Sequence, residues 1–365
     1  MKKNHYTYVS SKPRYMIGKN MVVRSLALAF ILGVFALTSC SDDGASDLNS
    51  SVEAQNLNKK LTLAPKPDEL IRITGSSGDA ENTALKTTSA PGPDRGRFNI
   101  TLKYVVPVTD RQKEVFEEAV ARWERIIIKD VPSFTGTLPS AFEGFPPVIE
   151  NETLDDIVIE VVLAPIDGPG GILGQAGPRF VRTSDFLTLS GVMFFDVDDL
   201  DFLEQLNLFE EVIVHEMGHV LGVGTLWNVE PFGFPRTLLE GSPDNPYFSG
   251  RMANVHWNAE GGTGELPVEG DFGPGTRFSH WDEATLNNEL MTGFLNLGYN
   301  PLSRITAGSL RDLGYGTAVK GESYNLPKGT PGVDISEGGA TGEGEGINIA
   351  KMEVLLEPIG LVTIE

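Results

Sequence analysis

Cysteine is nearly absent from this chain: Cys40 is the single one in 365 residues. Everything after it therefore folds without a disulfide and has no thiolate to place on a metal. Basic residues are also few, 29 Lys and Arg against 50 Asp and Glu for a net charge of -21. Six of those cations lie before residue 40, so the remainder is more acidic still. Such a body argues against binding nucleic acid or an anionic membrane surface, and suits solubility outside the cell. A long apolar run is missing too, since Ser25–Leu37 (SLALAFILGVFAL) is too short for a comfortable membrane span. What remains is ordinary globular composition, 40% hydrophobic and 22% charged, at a length that allows one large or two moderate domains.

The first 40 residues read as an export signal. Lys2, Lys3, Lys12, Arg14, Lys19 and Arg24 form a basic region before the short apolar run. The run ends at Leu37-Thr38-Ser39-Cys40, which resembles a bacterial lipobox. That resemblance implies cleavage before Cys40, its lipidation, and anchoring in the bacterial cell envelope at the outer membrane. Residues 41–95, rich in Ser, Asp, Asn, Thr, Gly and Pro, read as a flexible tether or a short propeptide, with a short element at Leu61–Ile73.

The chemistry concentrates in Glu211–Gly222, EVIVHEMGHVLG. His215 and His219 are four apart and stack on one face of a helix, where two imidazoles can enter one tetrahedral zinc sphere. Glu216 then points beside the open coordination position. There its carboxylate can take a proton from water at the metal and hand it to a leaving amine. Leu206, Phe209, Val212, Ile213, Val220 and Leu221 form an apolar stripe at helical spacing, so the helix is expected over Phe202–Val223. Gly222, with Gly224, lets the chain leave that helix in a sharp turn.

Around it, Phe98–Val106, Ile157–Leu163 and Leu187–Phe195 read as strands, and Asp110–Lys129 as a helix capped by Thr109. Gly171–Gln175, running on to Pro178, reads as a short edge strand, and sheet edges accept extended peptides. The aspartates of Asp196–Asp201 read as helix caps. Strand, helix, strands and a metal-bearing helix make an α+β layout with a mixed twisted sheet. The catalytic domain is placed at 96–318, with a long irregular insertion at 227–277 and a C-terminal extension at 319–365. The close of that extension reads either as a strand returning to the sheet or as a cleaved or interacting tail.

Two histidines leave the metal short of a protein ligand. His256, His280, Glu283 and Glu289 all qualify by residue type, with a preference for His280 because Met291 follows it in an expected tight turn. HEMGHVLGVGTLW, a long insertion, and then SHWDEATLNNELMTGFLNLGYNPLSRITAGSLRDLGYG resemble the leishmanolysin-like metzincin metalloproteases. Members of that family closest to this chain are compact and lack the many disulfides of the protozoan surface enzymes. The resemblance implies one catalytic Zn²⁺ on His215, His219 and His280, Glu216 as general base, Gly222 as the turning glycine, and a C-terminal subdomain whose methionine turn places Met291 beneath the metal.

The expectation is therefore a zinc-dependent endopeptidase, lipid-anchored through Cys40, that hydrolyses proteins or peptides outside the cytoplasm. Substrate would lie antiparallel to the Gly171–Gln175 edge. The alternative is a zinc-containing surface binding protein, adhesin-like, without turnover.

Overall fold

The computed structural model describes residues 61–77, 96–271, 277–326 and 346–365. The signal region with Cys40 and most of the Ser336–Gly346 tract fall outside them, as do 41–60 and 78–95 of the expected tether. The described residues all lie within one unit of the chain.

In chain order, β1 is Ile71–Ser77, β2 is Ile100–Tyr104 and α1 is Asp110–Ile126. Helix α1 starts at Thr109, whose hydroxyl accepts from the Gln112 amide while the Gln112 side chain accepts from the Thr109 amide. That reciprocal cap satisfies two amides that the helix start would otherwise leave unpaired. Strands β3 (Phe134–Leu138), β4 (Ile149–Leu154), β5 (Ile157–Ala164), β6 (Gly174–Arg182) and β7 (Thr188–Asp196) follow. Strands β5 and β7 are buried on both faces because helices cover one side, while residues of β3 and β4 and the loop at Ala141 and Phe142 cover the other, which is why they read as continuous hydrophobic runs.

Where one long helix is expected over Phe202–Val223, two form: α2 (Leu200–Leu206) and α3 (Phe209–Leu221). Asn207 adopts a left-handed conformation, φ 57°, and caps α2 through its amide to Leu203 and Glu204 carbonyls. Asparagine tolerates that conformation better than most side chains, so the break falls there.

The stretch 227–277 is less irregular than its composition suggests. It holds a hairpin of β8 (Leu239–Ser242) and β9 (Asn245–Phe248), the helix α4 (Arg251–Ala259) and a short strand β10 (Leu266–Pro267). Beyond it lie α5 (Glu283–Leu286), β11 (Leu295–Asn296), α6 (Arg304–Leu313), β12 (Gly346–Ile347), β13 (Glu353–Leu355) and β14 (Gly360–Ile364).

Among the described residues nine strands build one mixed sheet, in the order β2-β5-β7-β6-β14-β1-β3-β4, with β13 also on β6. Two sequence expectations need correction here. Strand β1 belongs to the sheet, pairing in parallel with β14 from Ile71↔Gly360 to Gly75↔Ile364, so the folded body begins before residue 96. The apolar alternation of 71–77 is too weak to announce itself without its partner. Strand β6, expected as a free edge, is flanked by β7 on one side and by β13 and β14 on the other. The C-terminal extension thus returns to the sheet.

The main core lies between this sheet and helices α1 and α3, and continues under α6. Trp123 of α1 is fully buried and donates its indole N–H to the Val214 carbonyl at 2.9 Å, tying the two helices together. Arg122 adds an ion-pair network to Glu211 (3.0 Å) and Glu322 (2.9 Å), which joins α1, α3 and the chain after α6.

Candidate metal centre

Helix α3 presents His215 and His219 on its buried face, and the chain returns from the 227–277 segment to bring His280 opposite them. The three Nε2 atoms form a triangle with sides of 3.0, 3.1 and 3.2 Å. Tetrahedral zinc with bonds of 2.0–2.1 Å needs nitrogens about 3.3 Å apart. Each ring is oriented through its other nitrogen. His215 donates Nδ1–H to the Leu290 carbonyl at 2.7 Å, and His219 donates to the Val223 carbonyl at 2.9 Å. The Nδ1 of His280 is 3.1 Å from Ser279 Oγ. Carbonyls only accept, so the protons of His215 and His219 sit on Nδ1 and the Nε2 lone pairs converge on one point. All three histidines are fully buried. Ring nitrogens that converge in this way in a dry site are suited to a cation lying among them, and the group could hold a metal ion.

A fourth group completes the cluster. Glu353 of β13 places Oε1 3.0 Å from His280 Nε2, and Oε2 3.4 Å from His215 Nε2 and 3.7 Å from His219 Nε2. His215, His219, His280 and Glu353 together make a buried group able to hold a metal ion. Sequence reasoning did not find Glu353. The one signal is a lone acid flanked by Met352 and Val354 in an apolar stretch, which marks a carboxylate carried inward on a strand.

Electrostatics follow from burial. Burial lowers His219 well below the usual imidazole range, against the attraction of Glu353. Burial alone would raise Glu353, but the adjoining rings of His280, His215 and His219 hold it well below the ordinary carboxylate range. Glu216 is fully buried and neither of its oxygens has a hydrogen-bond partner. Burial, then the negative charge of Glu353, pushes its carboxyl well above the usual range. A buried carboxyl with a raised proton affinity one residue from His215 makes Glu216 a candidate functional group.

The supports of the site explain its local sequence. Gly222 ends α3 in a left-handed conformation, φ 111°. Gly224, φ 75°, packs against the Ser279 backbone so closely that a Cβ would lie 2.1 Å from the Ser279 oxygen. This bare contact lets the segment carrying His280 reach the helix. Trp281 fixes that segment, stacking on Trp227 at 4.6 Å and donating to Thr306 Oγ1 at 2.8 Å. Met291 packs against α3 between the two histidines, where a Cβ on Gly218 would fall 2.7 Å from its Sδ. Glu289 shapes this turn: it accepts from the Met291 amide at 2.7 Å and from the Ser303 and Thr306 hydroxyls.

The other ligand candidates lie elsewhere. His256 sits in α4, packed against Gly308 of α6, and Glu283 and Glu289 are buried outside the cluster. Asp196 caps the turn after β7 and accepts from the amides of Ile166, Asp167 and Gly168, so it organises a loop. The chain matches no protein-family model and no curated protein.

Proposed function

We propose that this chain is a zinc-dependent endopeptidase of the leishmanolysin-like metzincin kind, acting on proteins or peptides at the bacterial envelope. The observation that carries this reading is Glu216, buried and unpartnered beside three histidines whose Nε2 atoms converge. His215, His219 and His280 would hold the ion. A zinc ion so held supplies Lewis acidity to a carbonyl and to water. Glu216 would accept a proton from the attacking water and return it to the leaving amine. The carbonyls of Leu290 and Val223 hold the Nδ1 protons of His215 and His219 and so aim both Nε2 atoms at the ion site. The export signal and the lipobox around Cys40 support envelope anchoring.

One observation favours the second reading, a zinc-containing surface protein without turnover: Glu353 closes the fourth position, as in structural zinc sites. Quenched-peptide cleavage by the zinc-loaded chain, as wild type, Glu353→Ala and Glu353→Ala/Glu216→Gln, separates the two. Cleavage by a protein that retains Glu216, and none by the Gln double variant, supports the peptidase. Zinc in all three with cleavage in none supports the binding protein.

A further inference from the structure

The metal centre is closed to anything outside it. The three histidines, Glu216 and the side chain of Glu353 have no exposed surface, and one short strand makes the closure.

Resting on the peptidase reading, we propose that residues Met352–Leu356 are a built-in inhibitor of the cleft. Strand β13 occupies the peptide-binding edge of β6, and Glu353 takes the fourth ligand position that attacking water needs. The chain is thus latent until this segment is displaced.

The backbone of the segment is seated as a docked peptide would be. Leu173 N–H donates to the Met352 carbonyl at 2.6 Å, and Leu356 N–H donates to the Ala176 carbonyl at 2.8 Å. Between them Glu353, Val354 and Leu355 pair with Gly174, Gln175 and Ala176. Strand addition of this kind takes its affinity from main-chain hydrogen bonds and its specificity from the alternate side chains. Here the inward side chain is Glu353, while Val354 points to solvent at 36% exposure. Strand β6 is shaped for this neighbour: a Cβ on Gly177 would sit 2.2 Å from the Leu356 carbonyl oxygen.

Two features distinguish an inhibitor from a substrate and from permanent structure. The pairing with β6 is parallel, opposite to the antiparallel course expected of a substrate, so the segment does not offer its own peptide bond in the productive direction. Apart from Glu353 the segment is shallow, with Met352, Leu355 and Leu356 only partly buried and Glu357 exposed. The neighbouring β14, by contrast, pairs on both sides, with β6 and β1. Strand β13 can therefore lift while β14 keeps the sheet intact, since short, partly exposed strands open most easily.

The test uses the full zinc-loaded chain, as wild type, Glu353→Ala and the isosteric Glu353→Gln. Zinc content and thermal unfolding establish that each is loaded and folded. Acetohydroxamate, a small bidentate zinc ligand, reports access to the metal by calorimetry without any turnover. At least tenfold tighter binding to Glu353→Ala than to wild type, with at least tenfold faster peptide cleavage, is the expected result. Equal hydroxamate affinity in all three proteins overturns the proposal. A gain in hydroxamate affinity with no cleavage by any of them upholds Glu353 as the cap and sinks the peptidase reading instead. If Glu353→Ala fails to fold, the same comparison is made with Glu353→Gln.

Discussion

Glu353 Oε1 lies 3.0 Å from His280 Nε2, although the two residues reach the site from different sides, one on a sheet strand and the other on a loop packed against helix α3. The contact joins the sheet half of the molecule to the half that carries Met291.

Glu216→Gln keeps the shape of the side chain and removes its ability to take a proton. Peptide cleavage, measured in a Glu353→Ala background, should fall by about 10²–10⁴-fold, the usual contribution of a general acid-base group. Zinc content should stay at one per chain, because Glu216 lies outside the cluster of four. A variant that retained its rate would remove Glu216 from the mechanism.

Stripping the metal leaves three buried imidazoles and a carboxylate facing one another without a cation. At a thousandfold excess over its Kd, a ligand of the folded state contributes about 4 kcal/mol. For a chain of this size that corresponds to roughly 5 °C in Tm. Chelation should lower Tm by that order, and added zinc should restore it. No change in scanning calorimetry would mean that the cluster does not hold zinc.

Gly224→Ala tests how His280 is delivered. The new methyl meets the Ser279 oxygen at 2.1 Å, in a backbone conformation with φ 75° that alanine resists. The expected cost is on the order of 1–3 kcal/mol in stability, together with at least a tenfold loss of zinc affinity in competition with a chelator. Lost stability with unchanged zinc affinity would show that Ser279 can retreat without moving His280.

Stability should decline as the solution becomes alkaline. Burial pushes Glu283 up to about 8, against a hydrogen bond from Thr292. Burial likewise pushes Asp156 up to about 9, helped by the charges of Asp155 and Asp130 and opposed by the Val131 amide. Both groups keep protons in the folded chain that the unfolded chain releases near pH 4. Their contribution is complete below pH 4 and is lost as pH rises through 8 and 9. Tm should fall between pH 6 and 9.5, and Glu283→Gln should flatten the fall. A flat wild-type curve would contradict this.

How much of this could be read from the sequence depends on how local each signal is. His215, Glu216 and His219 are legible because four-residue spacing on a helix needs nothing from the rest of the chain. The Thr109 cap and strands Ile157–Ala164 and Thr188–Asp196 are legible for the same reason. His280 lies with the pair in the folded chain, and the signal that singled it out is the H-W and E-L-M segments far along the sequence. Strand β1 and the cover on β6 were illegible, because a three- to seven-residue strand acquires its identity from a partner far along the chain. Glu353 was missed on the same ground: no local pattern ties an acid in an apolar stretch to three histidines. The break at Asn207 was hidden by an apolar stripe that continues through it.

The parallel pairing of β1 with β14 brings together segments separated by most of the sequence. A chain that emerges with its N-terminal side leading must leave β1 and the outer side of β6 without their β14 partner until residues 360–364 emerge. Contacts of such long range also fold slowly. Assembly order then becomes a safeguard: Glu353 arrives just ahead of β14, so the sheet cannot be completed before the carboxylate that faces the three histidines has been delivered. A molecule built this way is capped at the moment it first becomes whole.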